Sequence, residues 1–547
     1  MTAAVEPRRS THGVMADTGR LLSWLLFLLV ALAVWLPGGF NIGPINDGWV
    51  MIAYDRWLDP GAGTRVLQLI PMELGLHLTP GDFAGWQWLL LVLTVARAIL
   101  VFEIVERLLD GQRAYALACG LLALFHPMDT SYFWVDAINV GMAYALTLAA
   151  CLAALLHLQS CGRTSLAAMW ALQVLACFTY TGFVPILAAF PLLFWLLWRL
   201  DGRSAAPVYL LECLTLPVLF FGLMVLEARH GQGRESRVAS LGVGDVLAGY
   251  AYQLRTLGQG WLAWVQKLDA AYLLPAAIAG GIGLAVAWRT TARGQSSLRP
   301  LRFYLLLAAG LVAMALGAYL PYAVSELRIG HIRQMLAAGL FLLMALLLPL
   351  FLYLASAPSR RRAAAVLVGL LAFGTAITGA EMRRGYLDIY RAQEAFLSSI
   401  ASVVPYPPAD SFIVVEPGND MHGRDLGSLR NRYPAFTSAV QHLYGDASLQ
   451  AVFGGGDAAL SGFTRDGVTV SGIAGIRQFD VPYARLILLQ YQDDGTVRVV
   501  DPDSLRRQAP AGSDISGYRP GPYGGAPGPD SDVCRMLEAA YRPAYCH

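Results

Sequence analysis

The chain is 547 residues long, 56% hydrophobic and only 14% charged, with a formal net charge of +2 and a mean hydropathy of +0.50. That balance excludes an ordinary soluble globular protein and makes a polytopic membrane protein the default class. So small a net charge, with the basic residues in short clusters between apolar runs, argues against a nucleic-acid partner and reads as a topology signal.

Residues 1–20 are polar and carry Arg8, Arg9 and Arg20, and an apolar run at 21–36 follows at once. No small-x-small cleavage site follows it, so the run is expected to be an uncleaved first span with a cytoplasmic N-terminus. Next comes NIGPINDGWVMIAYDRWLDPGAGTR at 41–65, a polar stretch that carries Asp47, Asp55 and Asp59 among Trp49, Tyr54 and Trp57 and ends at Arg65. With the N-terminus inside, this loop faces outward. Its tryptophans suit a headgroup layer as well as they suit a substrate site. Residues 65–80, with Glu73, are too short and interrupted for a comfortable span and fit an interfacial or re-entrant helix.

Further spans are expected at 86–105, 114–125, 138–156, 165–180, 183–198, 208–226, 272–288, 303–320, 335–355 and 363–379, eleven in all. The outward loop HPMDTSYFWVDA joins the third and fourth, and a long polar segment with an interfacial helix fills 227–269. Basic clusters at 107–113, 199–203, 289–302 and 359–362 then all fall on the cytoplasmic side, as the positive-inside rule requires. The fold class is therefore mainly α, a polytopic helical bundle over 1–380 with a small extracytoplasmic α/β domain over 381–547. In that domain SFIVVE and ARLILLQYQ read as strands, Asp494-Gly495 turns the second into TVRVVD, and a short helix closes the chain near 533–541. Five cysteines (Cys119, Cys151, Cys161, Cys177 and Cys213) sit in or beside apolar runs as small hydrophobes. Cys534 and Cys546, in the polar tail, can close a short loop if that tail faces an oxidising compartment.

The outward face gathers the unusual polar residues: Asp47, Asp55, Arg65 and Glu73, then His126, Asp129 and Asp136, then Arg328, His331 and Arg333 in SELRIGHIRQ. A carboxylate there can deprotonate an acceptor hydroxyl, and guanidinium groups can pair with a phosphate leaving group through charge-assisted hydrogen bonds. The competing readings are structural: a headgroup-binding collar for Arg328 and Arg333, and a helix-end cap for His126 beside Pro127. Arg97, deep in the second span, is expected to face the bundle interior with an acidic partner, Glu103 or one from another span.

The loop NDGW, the stretch ALFHPMDTSYFWVDAINVGMAYALTLAACLAALL and the block SELRIGHIRQMLAAGLFLLMALL resemble the corresponding parts of bacterial membrane glycosyltransferases of the C superfamily (GT-C). They are most similar to the branch that holds the tetratricopeptide-repeat O-mannosyltransferases. The resemblance covers mainly 40–200 and 320–350. It implies a polyprenyl-phosphate sugar donor, Asp47 as general base, and Arg328 and Arg333 at the donor phosphate. His331 is assigned with those arginines, and Trp49, Asp55, Arg65, Glu73, His126, Asp129 and Asp136 are expected to bind substrate. The chain departs from the pattern where Asn46 replaces one acid of a pair, where Asp129 stands for a second His, and in having no repeats. The first departure weakens a divalent metal site, which is left open, and the last weakens a protein acceptor.

The expected function is an inverting transferase of the bacterial inner membrane. It would move sugar from a polyprenyl-phosphate donor to an extracytoplasmic glycan or lipid-linked acceptor, with the C-terminal domain in the periplasm. Two other readings use a similar scaffold. An O-antigen polymerase or ligase would rest on the outward arginines and spare the first-loop acid. A lipid-linked glycan transporter would need paired ionisable residues inside spans and internal repeats, and beyond Arg97 and Glu103 the chain offers little of either.

Overall fold

The computed structural model describes the chain apart from residues 1–11, 46–47, 53–55, 81, 111, 129–130, 204–205, 231–241, 266–271, 292–298, 324–334, 418–425, 432, 455–458, 474–476, 522, 524–530, 538 and 547. Its helices in the first half are α1 His12–Trp35, α2 Gly48–Ile52, α3 Ile70–Leu78, α4 Ala84–Leu108, α5 Arg113–Leu124, α6 Ile138–Ser160, α7 Arg163–Thr179 and α8 Val184–Leu200. There follow α9 Val208–Arg229, α10 Val243–Val265, α11 Leu273–Thr291, α12 Leu301–Ala323, α13 Met335–Ala355 and α14 Arg361–Val403. A helix stands at each of the eleven expected spans. Nine of them, among the described residues, are long and apolar enough to cross a membrane, which is the architecture of a multi-pass membrane protein. The two that fall short are α5, with 12 residues, and α7, with 17. At 1.5 Å per residue they reach only about 18 and 26 Å, against a hydrocarbon core of roughly 30 Å.

The shortness of α5 shapes the bundle. Its sequence RAYALACGLLAL is apolar and small-residued on every side, and Tyr115 to Leu124 are all buried, as befits a helix enclosed by α1, α4, α11, α13 and α14. The loop that follows therefore begins inside the bundle rather than at its end. Phe125, His126, Tyr132, Phe133 and Val135 are each no more than 3% exposed.

At the opposite end of α5 an ionic layer ties the basic clusters together. Arg20 lies 3.8 Å from Glu103 and 3.5 Å from Glu106, and Arg107 pairs with Glu103 at 3.4 Å. Glu103 is thus engaged by Arg20 and Arg107, not by Arg97 as expected, because positions 97 and 103 point to different sides of α4. Arg299 bridges Asp110 (3.0 Å) and Asp201 (3.3 Å), and Arg203 reaches both of the same acids. Three of the four basic clusters, far apart in sequence, accordingly share one end of the bundle.

The last helix of the bundle, α14, has 43 residues. No Gly or Pro interrupts it after Gly385, so it runs past position 380 for a total of about 65 Å, roughly twice a bilayer core. Its lower part packs closely on α11, where Gly280 and Gly283 meet Gly369 and Ala372. Its upper part is the spine of the C-terminal domain, and Pro405, Pro407 and Pro408 end it.

That domain contains β1 Phe412–Pro417, α15 Ser428–Asn431, α16 Tyr433–Tyr444, β2 Gln450–Phe453, β3 Ala459–Ser461, β4 Gly467–Ile473, β5 Arg477–Pro482, β6 Leu486–Tyr491, β7 Val497–Val499, α17 Pro502–Gln508 and α18 Asp532–Met536. One sheet has the order β2-β1-β6-β7, with β1 parallel to both β2 and β6; the other has the order β3-β4-β5. β6 and β7 form the expected hairpin over Asp494-Gly495. Alternation along β1 divides its faces: Ile413 and Val415 face α14 and α16, whereas Phe412 and Val414 face the second sheet. Cys534 and Cys546 form a disulfide.

Close packing of α3 on α4 brings the first loop back to the bundle, because a Cβ at Gly85 would land on the carbonyl oxygen of Gly75 and 2.9 Å from the Leu78 Cβ. Gly85→Ala is expected to cost about 1–3 kcal/mol, the usual range for overpacking. Gly222→Ala, with nothing within 4 Å of the added Cβ, should be neutral or slightly stabilising. Thermal unfolding of the two purified variants in detergent checks both.

Candidate functional site

The first loop is held through its own carbonyl groups. Gln87 of α4 donates to the Ile42 carbonyl at 3.3 Å, and Asn41 accepts the Phe83 N–H at 3.0 Å. From α14, Arg383 donates to the Gly39 carbonyl, Tyr386 to that of Gly43 (2.8 Å) and Gln393 to that of Ile45 (2.9 Å). Positions 383, 386 and 393, with Tyr390 packed at Gly43, follow an i, i+3, i+7, i+10 spacing and so share one face of α14. Gln393 is fully buried, and its amide oxygen also accepts the Trp49 indole N–H at 2.9 Å. The two contacts grip the chain on either side of Asn46-Asp47.

The second loop lies directly beside the first. A Cβ on Gly48, the residue after Asp47, would come within 3.6 Å of the Val135 Cβ and 3.8 Å of the Asp136 backbone nitrogen. Asp136 is 6% exposed and lies within electrostatic reach of Tyr386. Arg383, 2% exposed, packs against the contacting rings of Trp35 (5.4 Å) and Phe133 (5.6 Å) and donates to Gln87 at 3.3 Å. His126 is completely buried and edge-on to Tyr132. A Cβ at Gly339 of α13 would fall 2.8 Å from the His126 ring and 2.9 Å from Met128. The second loop therefore touches both the first loop and the opening turns of the helix that follows SELRIGHIRQ.

Of the expected site residues, Trp49, His126 and Asp136 gather here. Glu73 and Arg65 do not; they fasten the return of the first loop. The buried Glu73 carboxylate accepts the Arg56 N–H at 3.3 Å, while Arg65 donates to Thr181 at 3.0 Å and covers the Tyr180 ring. Asp47, Asp55, Asp129, Arg328, His331 and Arg333 lie outside the described residues. Among the described residues no group of three His, Cys, Asp or Glu side chains is placed to hold a metal ion.

The C-terminal domain forms the roof. His442 of α16 packs on Trp49 (6.3 Å between ring centroids) and on Phe83 (5.8 Å). Burial lowers its pKa and so favours the neutral imidazole, against an opposing pull from Asp532. Gln393 donates to the Leu426 carbonyl at 2.8 Å. Gly427 has φ +55°, and a Cβ there would come 2.6 Å from the Ile45 carbonyl oxygen, so both its conformation and its closeness require glycine.

Sequence reasoning missed Arg383, Tyr386, Gln393 and His442. The signal was the placement of polar residues of RRGYLDIYRAQEAF at the spacing of a buried helical stripe, a pattern hidden by ending the span at 379. No protein-family model matches the chain, and no curated protein matches it.

Gln393→Leu removes partners from the Ile45 and Leu426 carbonyls and from the Trp49 indole. At roughly 1–3 kcal/mol for each buried group left unsatisfied, it is expected to destabilise the protein by several kcal/mol and to shift Trp49 fluorescence. Gly427→Ala should act in the same direction. Denaturation of the detergent-solubilised protein, followed by intrinsic fluorescence, checks both.

Proposed function

We propose that the chain is a polyprenyl-phosphate-dependent glycosyltransferase of the bacterial inner membrane, acting on an extracytoplasmic glycan or lipid-linked acceptor. The observation that supports it most is the meeting of the three sequence blocks that resemble GT-C enzymes: first loop against second at Gly48 and Asp136, second loop against α13 at His126 and Gly339. Blocks separated by hundreds of residues and meeting at one place are what a shared reaction centre needs.

In this reading Asp47 takes the proton of the acceptor hydroxyl. The acceptor oxygen attacks the anomeric carbon from the face opposite the phosphate, the bond from that carbon to the phosphate oxygen breaks, and the phosphate leaves with its electron pair. Inversion follows from a single displacement. Arg328, His331 and Arg333 are assigned to the leaving phosphate. Asp136, buried beside Gly48, is assigned as a second carboxylate of the site, in place of the acid that Asn46 replaces. In this reading its charge would raise the basicity of Asp47, since like charges at short range disfavour joint ionisation.

The Cys534–Cys546 disulfide supports an oxidising, extracytoplasmic location for the C-terminal domain. The shared ionic end of the bundle, with its arginines, supports a cytoplasmic face opposite it. By helical rise the loop after α5 lies about 18 Å above that face, so the site would be a crater below the outer surface of a core roughly 30 Å thick.

Transfer of radiolabelled sugar from a panel of polyprenyl-phosphate sugars by the purified protein tests the reading. Asp47→Asn is expected to lower the rate by about 10²–10⁴, the usual loss for a general base, and Asp136→Asn to lower it and shift the pH profile toward acid. Undiminished transfer by Asp47→Asn would remove the base and favour an arginine-centred polymerase or ligase.

A further inference from the structure

The carboxyl-terminal edge of the four-stranded sheet carries a polar row that the candidate site does not use. β1 reaches β2 through α15 and α16, on the face turned to α14, while β2 reaches β6 through the second sheet, on the opposite face. Connections that diverge in this way around a strand of a parallel sheet open a crevice outside its carboxyl end, and that crevice is where open α/β sheets bind ligands. Here it falls between β1 and β6.

Register and alternation place four residues of adjacent strands side by side at this edge. Glu416 of β1 is level with Gln490 of β6, Gln490 pairs with Arg498 of β7, and Gly454 follows Phe453, the β2 partner of Val415. All four share the face of Phe412 and Val414, but the apolar cluster under the second sheet ends one row earlier, at Val452, Val414, Leu488 and Val500. At roughly 4.8 Å per strand the polar row spans about 14 Å. Glycine leaves a gap at one end of it: both carboxylate oxygens of Glu416 lie 2.6 Å from where a Gly454 Cβ would stand. Among the described residues, no hydrogen bond or ion pair engages the side chain of Glu416, Gln490 or Arg498. Burial raises the pKa of Glu416, and no neighbouring cation opposes it. The carboxylate has lost water and gained no partner.

A carboxylate, an amide and a guanidinium in line offer the acceptors and donors that suit the neighbouring hydroxyl groups of a sugar, which both give and take hydrogen bonds. The acid disfavours an acidic glycan by like-charge repulsion. We infer that the row of Gly454, Glu416, Gln490 and Arg498 is a binding ledge for a neutral oligosaccharide, with Glu416 accepting from its hydroxyl groups in the gap over Gly454 and Arg498 donating at the far end. This edge of the sheet lies on the side of the candidate site. Phe396, three residues beyond Gln393 on α14, meets Tyr491 and Phe453 at the carboxyl ends of β6 and β2, with ring centroids 5.2 and 5.9 Å apart. The chain that leaves β1 meets Gln393 at Leu426 and the Ile45 carbonyl at Gly427. The oligosaccharide is therefore assigned to the acceptor of the proposed transfer; that role rests on the glycosyl-transfer reading, whereas the binding does not.

The test measures binding without turnover. Full-length protein in nanodiscs is titrated in a calorimeter with neutral gluco-, manno- and galacto-oligosaccharides, and with an oligogalacturonate as the acidic counterpart. Wild type is expected to bind at least one neutral series saturably and in preference to the oligogalacturonate. Glu416→Ala is expected to weaken that binding by about tenfold or more, as for loss of a hydrogen bond to a charged group. Gly454→Ala keeps the carboxylate but drives it from the gap, and should act in the same direction; thermal unfolding confirms that each variant is folded. Absence of saturable neutral binding by wild type, preference for the oligogalacturonate, or unchanged binding by folded Glu416→Ala would overturn the ledge. Binding that depends on Glu416 in a protein that transfers no sugar would leave the ledge standing and remove the reaction. Asp47-dependent transfer by a protein whose oligosaccharide binding ignores Glu416 would do the reverse.

Discussion

One buried amide holds this molecule together where it matters. Gln393 uses both hydrogens and its oxygen on three separate parts of the chain: the Ile45 carbonyl of the first loop, the Leu426 carbonyl of the C-terminal domain, and the Trp49 indole. A fully buried amide cannot drop one of these without leaving a polar group stranded, so the three must dock together or not at all. Loop, long helix and roof are thereby one cooperative unit. The arrangement also explains why the first loop, rich in Gly, Pro and Asn, takes a defined path with little regular structure of its own. Its carbonyls at 39, 42, 43 and 45 find their partners in side chains of α4 and α14 rather than in a helix or sheet.

The hydrophobic runs made the bundle legible. Helix positions at the expected spans, and the strands β1, β6 and β7 with their hairpin, could be read from period, turn chemistry and residue type, whereas Cys534 and Cys546 were legible only as a pair able to bond in an oxidising compartment. What could not be read follows from the same physics. The pattern of α5 says apolar and helical, but whether twelve such residues cross a membrane or stop inside a bundle depends on what encloses them. The end of α14 was missed because hydropathy falls at Glu381 while helicity continues; polarity there reports a buried polar seam, not a surface. The second sheet was missed because β3 is only three residues long, and Gly in β4 (GVTVSGI) and Asp and Pro in β5 (RQFDVP) depress their strand signal.

At the candidate site, Trp49, His126 and Asp136 were legible as unusual residues in loops between apolar runs. Arg65 and Glu73 looked no different in sequence, yet each is spent on fastening the loop. Only tertiary contacts separate a side chain that gathers where the two loops meet from one that fastens the first loop's return. Arg383, Tyr386 and Gln393 show the converse: polar residues on a helix are ordinarily solvated, and nothing local marks these as facing inward until the helix is known to continue.

The unbroken course of α14 also restricts how the protein can change its length. Each residue inserted into a helix turns everything beyond it by about 100°. One residue added between Gly379, which packs on Phe125, and Arg383 would swing the faces that carry Tyr386 and Gln393 away from the first loop, with no hinge to absorb the turn. Additions of about seven residues, close to two full turns, would restore the angle but lift the latch some 10 Å above the carbonyls it serves. The helix thus behaves as a keyed shaft, and variation in chain length should be confined to loops at its ends.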